Sequence, residues 1–580
     1  MAPLMSFSIQ ELSTLVPELA SNPDLRQSLP DSSPDFWKAF CAVWNELVLQ
    51  PDLGRIVLLA RFTRNIVAGV PSNQQNAAEI VPVIQTLIHR YTSWISTQDD
   101  TTFPVTQALT QALSNIITAN PSFTSSFWSE TLKRAEKEDI LIRLLGSPDA
   151  KTVLSSFVLI LNCVHGSAER LSELTTSPMG VRICVCILDD MVDLHDAEEA
   201  SDGAKAFDVG YAIISRMIEG ACVPVLYEKL KSPGEIITPA QTTLLKLLDS
   251  ALQSQMLLQK QQPSETPRDE KEESTRKEGL SSMLAQSFFR MSGYARNYLS
   301  GLDSSTSTLA DLHLDVMLPK VCEALVLIAQ CVVSICLEDN SDGEGDSVLR
   351  WRDFFDAARP VDGDETRMLE SLIDLLRLLD IFLPRIVRGK PVSAHPQSAP
   401  PPSVSVQPNT PDSAQSTQQS AGAPPNTPLT PTLTPQLTTS SRTSLTSNSS
   451  IPVTPSSSLH DAELPDGPSQ PPTPPTPMAS ATNANVQEEP GVIGFTYLKR
   501  DLVRLLGILV HQSKEAQDRA RDAGGIQVVM NQCVIDERNP YLREHAIFTL
   551  SRLLEKNSEN QAVVESMKPE RTWDENGVLR

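Results

Sequence analysis

Apolar residues recur at three- and four-residue spacing from near the N-terminus to residue 262, and the runs break at Pro, Gly, Asn and Ser. That spacing gives each segment one apolar stripe and predicts helix after helix over 1–262. Alternating, strand-like patterns are scarce. The periodicity stops at Pro263-Ser264-Glu265-Thr266-Pro267 and at the mixed-charge run Arg268 to Glu273. A segment with nothing to bury predicts a charged, disordered loop over 263–279. Helical spacing resumes over 280–391, broken by an acidic loop at 338–347. That loop lacks the twelve-residue spacing and closing Glu of a calcium loop. Within this block Val321 to Leu337 is the longest apolar stretch, yet it carries Glu323 and Gln330. It is short for a membrane span, which needs about 20 apolar residues, and predicts a buried helix instead. A long helix is predicted from Asp364 to about Val387. Over 392–489 Pro, Ser, Thr, Gln and Ala dominate. Too little apolar surface remains to offset ordering entropy, so this stretch is predicted to be a disordered linker. Helical order returns over 490–570, and 571–580 is a tail.

The chain repeats itself. Leu498, Leu502, Leu505, Leu506 and Leu509 share one face of a helix. A shift of 44 residues brings Leu542, Leu550 and Leu553 onto Leu498, Leu506 and Leu509. Between these helices, Gln517 to Ala523 suits a short helix, Gly524-Gly525 a sharp corner and Ile526 to Cys533 a second helix. Tyr541 to Glu555 then suits a long third helix. A period in the low forties with this layout is that of armadillo repeats. A fainter echo lies upstream. Asn65-Ile66-Val67, Asn115-Ile116-Ile117 and Asn162-Cys163-Val164 each close an apolar helix before a polar break, at intervals of 50 and 47 residues. These asparagines either cap and pack locally or line a groove. The fold class is therefore all-α: an armadillo-like helical repeat solenoid, interrupted by the 392–489 linker.

The segment Gly494-Phe495-Thr496-Tyr497-Leu498-Lys499-Arg500-Asp501-Leu502 resembles the opening of the ataxin-10 C-terminal domain. So do Ala523-Gly524-Gly525-Ile526, Asn539-Pro540-Tyr541-Leu542-Arg543-Glu544 and Asn557-Ser558-Glu559-Asn560-Gln561. The resemblance is strong over 494–567 and weaker upstream, at Arg64-Asn65-Ile66-Val67 with Pro71-Ser72-Asn73-Gln74. It departs from the family pattern at Ile508, His545 and Arg552, so no partner contact is carried over to those positions. The resemblance implies a cytoplasmic armadillo protein linked to cytokinesis and cell survival, with no catalytic site. Fungal relatives have also carried a copper-transport label, which implies at most an indirect role in copper homeostasis.

Composition narrows the function classes. The 580 residues carry a net charge of −23, with 5% aromatic residues. An acidic chain repels phosphate backbones and anionic membranes, so nucleic-acid and membrane partners are not expected. The nine cysteines (Cys41, Cys163, Cys184, Cys186, Cys222, Cys322, Cys331, Cys336 and Cys533) sit mostly inside apolar patterns and read as reduced core thiols. Cys184 and Cys186 would point about 200° apart on a helix and cannot share a metal. No phosphate loop, dinucleotide fingerprint, zinc-protease motif or nucleophile elbow is present. No catalytic, cofactor or metal residues are therefore expected, and the chain is expected not to be an enzyme. Thr-Pro pairs at Thr410, Thr427, Thr430, Thr434, Thr454, Thr473 and Thr476 are minimal sites for proline-directed kinases. A protein-binding scaffold is the leading expectation, with cell-cycle kinases or cytokinesis factors as partners and homo-oligomers left open. A nuclear-import type of cargo adaptor is the alternative. Such adaptors repeat Trp and Asn along a groove, whereas Trp37, Trp44, Trp94, Trp128, Trp351 and Trp573 do not repeat with this array.

Overall fold

A computed structural model describes residues 7–261, 270–302, 315–338, 346–361, 363, 365–383, 385–387, 390–392 and 495–567. Among these, nine helices stand side by side as a ladder: Ile9–Ser21, Leu53–Val67, Phe103–Ile117, Ala150–Val164, Asp202–Glu219, Pro239–Gln261, Met317–Glu338, Leu498–Leu509 and Leu542–Leu554. Each packs on the next. The remaining helices form the outer layers, so the core runs as one sheath between ladder and outer helices.

The ladder helices follow from their sequences. Phe103–Ile117 buries Val105, Leu109, Ala112, Leu113 and Ile116 at helical spacing. Its buried hydroxyls do not interrupt the core, because Thr110 donates to the carbonyl four residues back, at 2.8 Å. Where the last two ladder helices meet, a side chain is dispensed with. A Cβ added to Gly507 would sit 2.5 Å from Thr549 Oγ1, which itself donates to Val503 O at 3.0 Å.

Several corners after ladder helices are built alike. One residue takes a left-handed conformation: Gly69 (φ 73°), Ala119 (58°), Gly166 (67°), Gln512 (54°) and Lys556 (54°). This is the usual way to end a helix. A following outer helix then returns a polar side chain to the carbonyl seven residues back. Arg26 donates to Leu19 O, Asn73 to Ile66 O, Thr124 to Ile117 O, Arg170 to Cys163 O, Gln517 to Val510 O and Asn560 to Leu553 O. Each bond satisfies a carbonyl that a helix end leaves unpaired. This register of seven is the repeat's structural signature.

Three expected boundaries are corrected. The charged loop expected over 263–279 is helical from Glu270, as the start of the Glu270–Ser300 helix. Its charges fall at helical spacing, with Lys277 3.3 Å from Glu273 one turn back, and the helix gains an apolar anchor at Leu280 and Leu284. The acidic loop expected at 338–347 is narrower, since Glu338 ends one helix and Asp346 begins another; residues 339–345 lie outside the described residues. The helix expected to reach Val387 is Met368–Phe382 and stops earlier. Pro384 follows in the sequence, and the residue before a proline disfavours helix. Arg385–Val387 and Lys390–Val392 instead pair as an antiparallel hairpin.

The long helix Met317–Glu338 has the length and hydropathy of a membrane span. It is packed between Pro239–Gln261, Glu270–Ser300 and Leu498–Leu509, with Val321, Leu325, Ile328 and Val332 fully buried. Beyond Val392, the expected linker over 392–489 lies outside the described residues, as do the seven Thr-Pro sites, Trp573 and the 571–580 tail.

Candidate interaction face

The described residues on both sides of 393–494 belong to one compact unit. Helices Asp346–Ala357 and Met368–Phe382 supply the first two helices of a repeat, and Leu498–Leu509 supplies the third. The joint is dense in polar contacts. Lys499 is 2% exposed and reaches Asp380 at 3.3 Å. Burial lowers its pKa, and Asp380 partly restores it. Arg519 grips Glu370 through two bonds of 2.8 Å and Asp356 through one of 2.7 Å. Gln330 donates to Asp501 at 2.8 Å. The hairpin joins in: Ile386 N donates to Asp536 Oδ1 at 3.0 Å and Glu537 N to Ile386 O at 2.9 Å.

The ladder helices also present residues to the surface, and these differ between its two halves. In its N-terminal half the asparagines flagged by the sequence are consumed between neighbours. Asn65 donates to Val16 O, Asn115 to Arg64 O, and Asn162 to the hydroxyls of Ser114 and Thr118, all at 2.9–3.0 Å. Local packing is their role. Arg64 is likewise held by Gln111 at 2.7 Å.

The C-terminal half differs. Tyr497 and Tyr541, one repeat apart, hold left-handed backbone (φ 66° and 64°) at the entrances of the last two ladder helices. That conformation is unusual for a bulky residue. The Arg500 guanidinium sits over the Tyr497 ring at 4.3 Å and that of Arg552 over Phe548 at 4.7 Å. Tyr497 is 40% exposed and Phe548 56%. Arg504, one turn on from Arg500, is half-buried and makes no hydrogen bond or ion pair among the described residues. His545 is pushed below the usual imidazole range by burial first, then by Arg504 and Arg500. Deeper in the same region, burial pushes Asp249 up to about 6.

It is on this segment that known proteins align. The family model of the spinocerebellar ataxia type 10 protein domain matches residues 498–580. This block is thus similar to the C-terminal domain of ataxin-10 proteins. The ataxin-10 homolog of Dictyostelium discoideum is 41% identical over 70 residues, 12% of each chain. Ataxin-10 of Xenopus tropicalis is 38% identical over 76 residues, 13% of this chain and 15% of its own. The Saccharomyces cerevisiae homolog is 35% identical over 74 residues, 13% of each. The match thus spans under a fifth of these ataxin-10 relatives. No solved structure matches.

The departures from the ataxin-10 pattern lie where the sequence placed them. Ile508, His545 and Arg552 are half-buried on the last two ladder helices. Sequence reasoning missed the joint and the stacked arginines; the signal for the stacking was Tyr-x-x-Arg at 497–500 and Phe-x-x-x-Arg at 548–552. Trp44 and Trp128 are fully buried in outer helices, and among the described residues no tryptophan lies on a ladder helix. Burial raises the thiol pKa of Cys163 to about 12 and of Cys186 to about 11. Among the described residues no three His, Cys, Asp or Glu side chains converge to hold a metal ion.

Proposed function

We propose that this chain is a non-enzymatic, cytoplasmic scaffold that binds other proteins along the face of its helical ladder. The observation that carries the reading is the ladder itself. Nine aligned helices present a continuous surface, and extended surfaces of this kind recognise proteins without pocket chemistry. A role in regulating cytokinesis follows from the ataxin-10 resemblance, and cell-cycle kinases or cytokinesis factors are its natural partners. Nuclear-import adaptors use a groove of exposed Trp and Asn; here the ladder asparagines are bonded to their neighbours, which favours the scaffold.

The test is affinity purification of the tagged full chain, and of a version lacking 392–489, from dividing cells, with mass spectrometry of the bound proteins. Division factors or kinases, altered by the deletion, are the expected result. Nuclear transport factors with basic cargo would overturn it in favour of an adaptor. No enrichment over a mock purification would remove the scaffold reading.

A further inference from the structure

We infer that the stripe formed by Tyr497, Arg500, Arg504, His545, Phe548 and Arg552 is a docking surface for an extended acidic segment of a partner protein. This rests on the scaffold reading and names the chemistry of the partner.

The chain carries −23 overall, yet its last two ladder helices place arginines together on one side. The nearby carboxylates are already engaged. Asp501 is buried and bound by Arg500 and Gln330, Glu555 is bound by Arg552, and Glu544 lies 3.7 Å from Arg543. Asp249 is the exception: one oxygen accepts from Gln253, the other is buried without a hydrogen-bond partner, and the group attracts Arg504 only through its charge. Arg504 is left over. Arg504 is half-buried, and charge attraction to Asp249 supports it, but no acceptor among the described residues bonds its N–H groups. A carboxylate from outside would meet its fork with two parallel bonds.

The flanking rings give such a partner more than charge. Arg500 and Arg552 are held over these rings, Arg500 also by Asp501 and Arg552 by Glu555, and add positive charge on either side of Arg504. Tyr497 and Phe548 offer apolar area beside them, and Tyr and Arg are the residue types that dominate binding energy at interfaces. His545, lowered first by burial and then by Arg504 and Arg500, lies in the same cluster. Spacing then sets the form of the ligand. Packed helices lie about 8–10 Å apart, which about three residues of extended chain span at ~3.3 Å each. An acid every third residue, with apolar residues between, fits two successive helices.

The probe is a fluorescein-labelled peptide, Ser-Glu-Phe-Ser-Glu-Phe-Ser-Glu-Leu, titrated with the full-length protein and followed by fluorescence anisotropy. The control carries Lys in place of each Glu. Saturable binding of the acidic peptide alone is expected, weakening as salt rises through about 0.15 M. Arg504→Glu should weaken it at least about tenfold, and Arg504→Lys less, since lysine keeps charge but loses the fork. Unchanged melting of both variants shows that folding is intact. Absence of binding, equal binding by Arg504→Glu, or equal binding of the Lys control would overturn the inference. So would Arg504-dependent binding of a single-stranded oligonucleotide in preference to the peptide. If partners still co-purify with the Arg504→Glu chain, the scaffold reading stands while this surface falls.

Discussion

Replacing Arg519 with Ala tests whether the polar joint holds the ataxin-10 block to the array. The guanidinium makes three charge-assisted bonds, two to Glu370 and one to Asp356. The three side chains are 18%, 29% and 16% exposed. Breaking a fully buried ion pair costs about 3–5 kcal/mol, because the orphaned charge stays behind. Partial exposure screens the orphans, so about 2–3 kcal/mol is expected here. Hydrogen exchange over 346–382 and 514–531 reads this locally. Amide opening should rise roughly 30- to 150-fold in Arg519→Ala, while the Phe103–Ile117 helix keeps its protection. Most of the cost is the two stranded carboxylates, so adding Asp356→Asn and Glu370→Gln should recover much of it. Acidity supplies a sign. Burial alone would raise Glu370, but the bonds from Arg519 hold it below the usual range. Its stabilisation is therefore present above the unfolded value of about 4.3 and lost as pH falls through the lower folded value. The gap between wild type and Arg519→Ala should close below about pH 4. Exchange within threefold of wild type, or a triple variant as open as the single one, would refute the reasoning.

Three further outcomes are expected. Gly507→Ala drives a methyl to 2.5 Å from Thr549 Oγ1 and should cost about 2 kcal/mol in urea unfolding, with Thr549→Ala recovering part of it. Ala119→Gly and Gln512→Gly relieve left-handed backbone at two corners and should each raise Tm, by up to about 1 kcal/mol of stability, whereas Gly69→Ala should lower it. Asp190 is pushed up to about 8 by burial first, then by Asp193 and Asp189. The folded state thus holds a proton that the unfolded state releases near pH 4, and stability should rise as pH falls from 8 toward 5. Asp190→Asn should flatten that dependence and raise Tm at pH 8; an unchanged pH profile would show that Asp190 titrates normally.

Much of the last repeat was legible in the sequence. Its three helices, Lys514–Asp522, Gly525–Asn531 and Leu542–Leu554, fall within a few residues of the expected spans, because Gly524 and the Leu spacing punctuate them clearly. Asn65, Asn115 and Asn162 do sit near the ends of ladder helices, since each follows the last apolar turn. The Glu270 start was hidden because a charged run has no apolar period, and only packing further along anchors that helix. The register-of-seven bonds were hidden for another reason. Arg, Asn, Thr and Gln perform one task there, so no single residue type repeats. Arg504 looked like any solvated helix charge, because lack of a partner is a property of three-dimensional neighbours.

The placement of the joint also bears on synthesis at the ribosome. Helix Met317–Glu338 is covered on one side by Leu498–Leu509, whose first residue is made 160 residues after Glu338. At about 5–20 residues per second, that face waits roughly 10–30 s for its cover. The helix is long and apolar enough to cross a membrane, so the nascent protein shows a strongly apolar surface for that whole interval. Every other step of the ladder closes within about a hundred residues of the preceding helix. Chaperone demand and misassembly should therefore concentrate at this one step, and shortening 392–489 should shorten the wait and raise the yield of soluble protein.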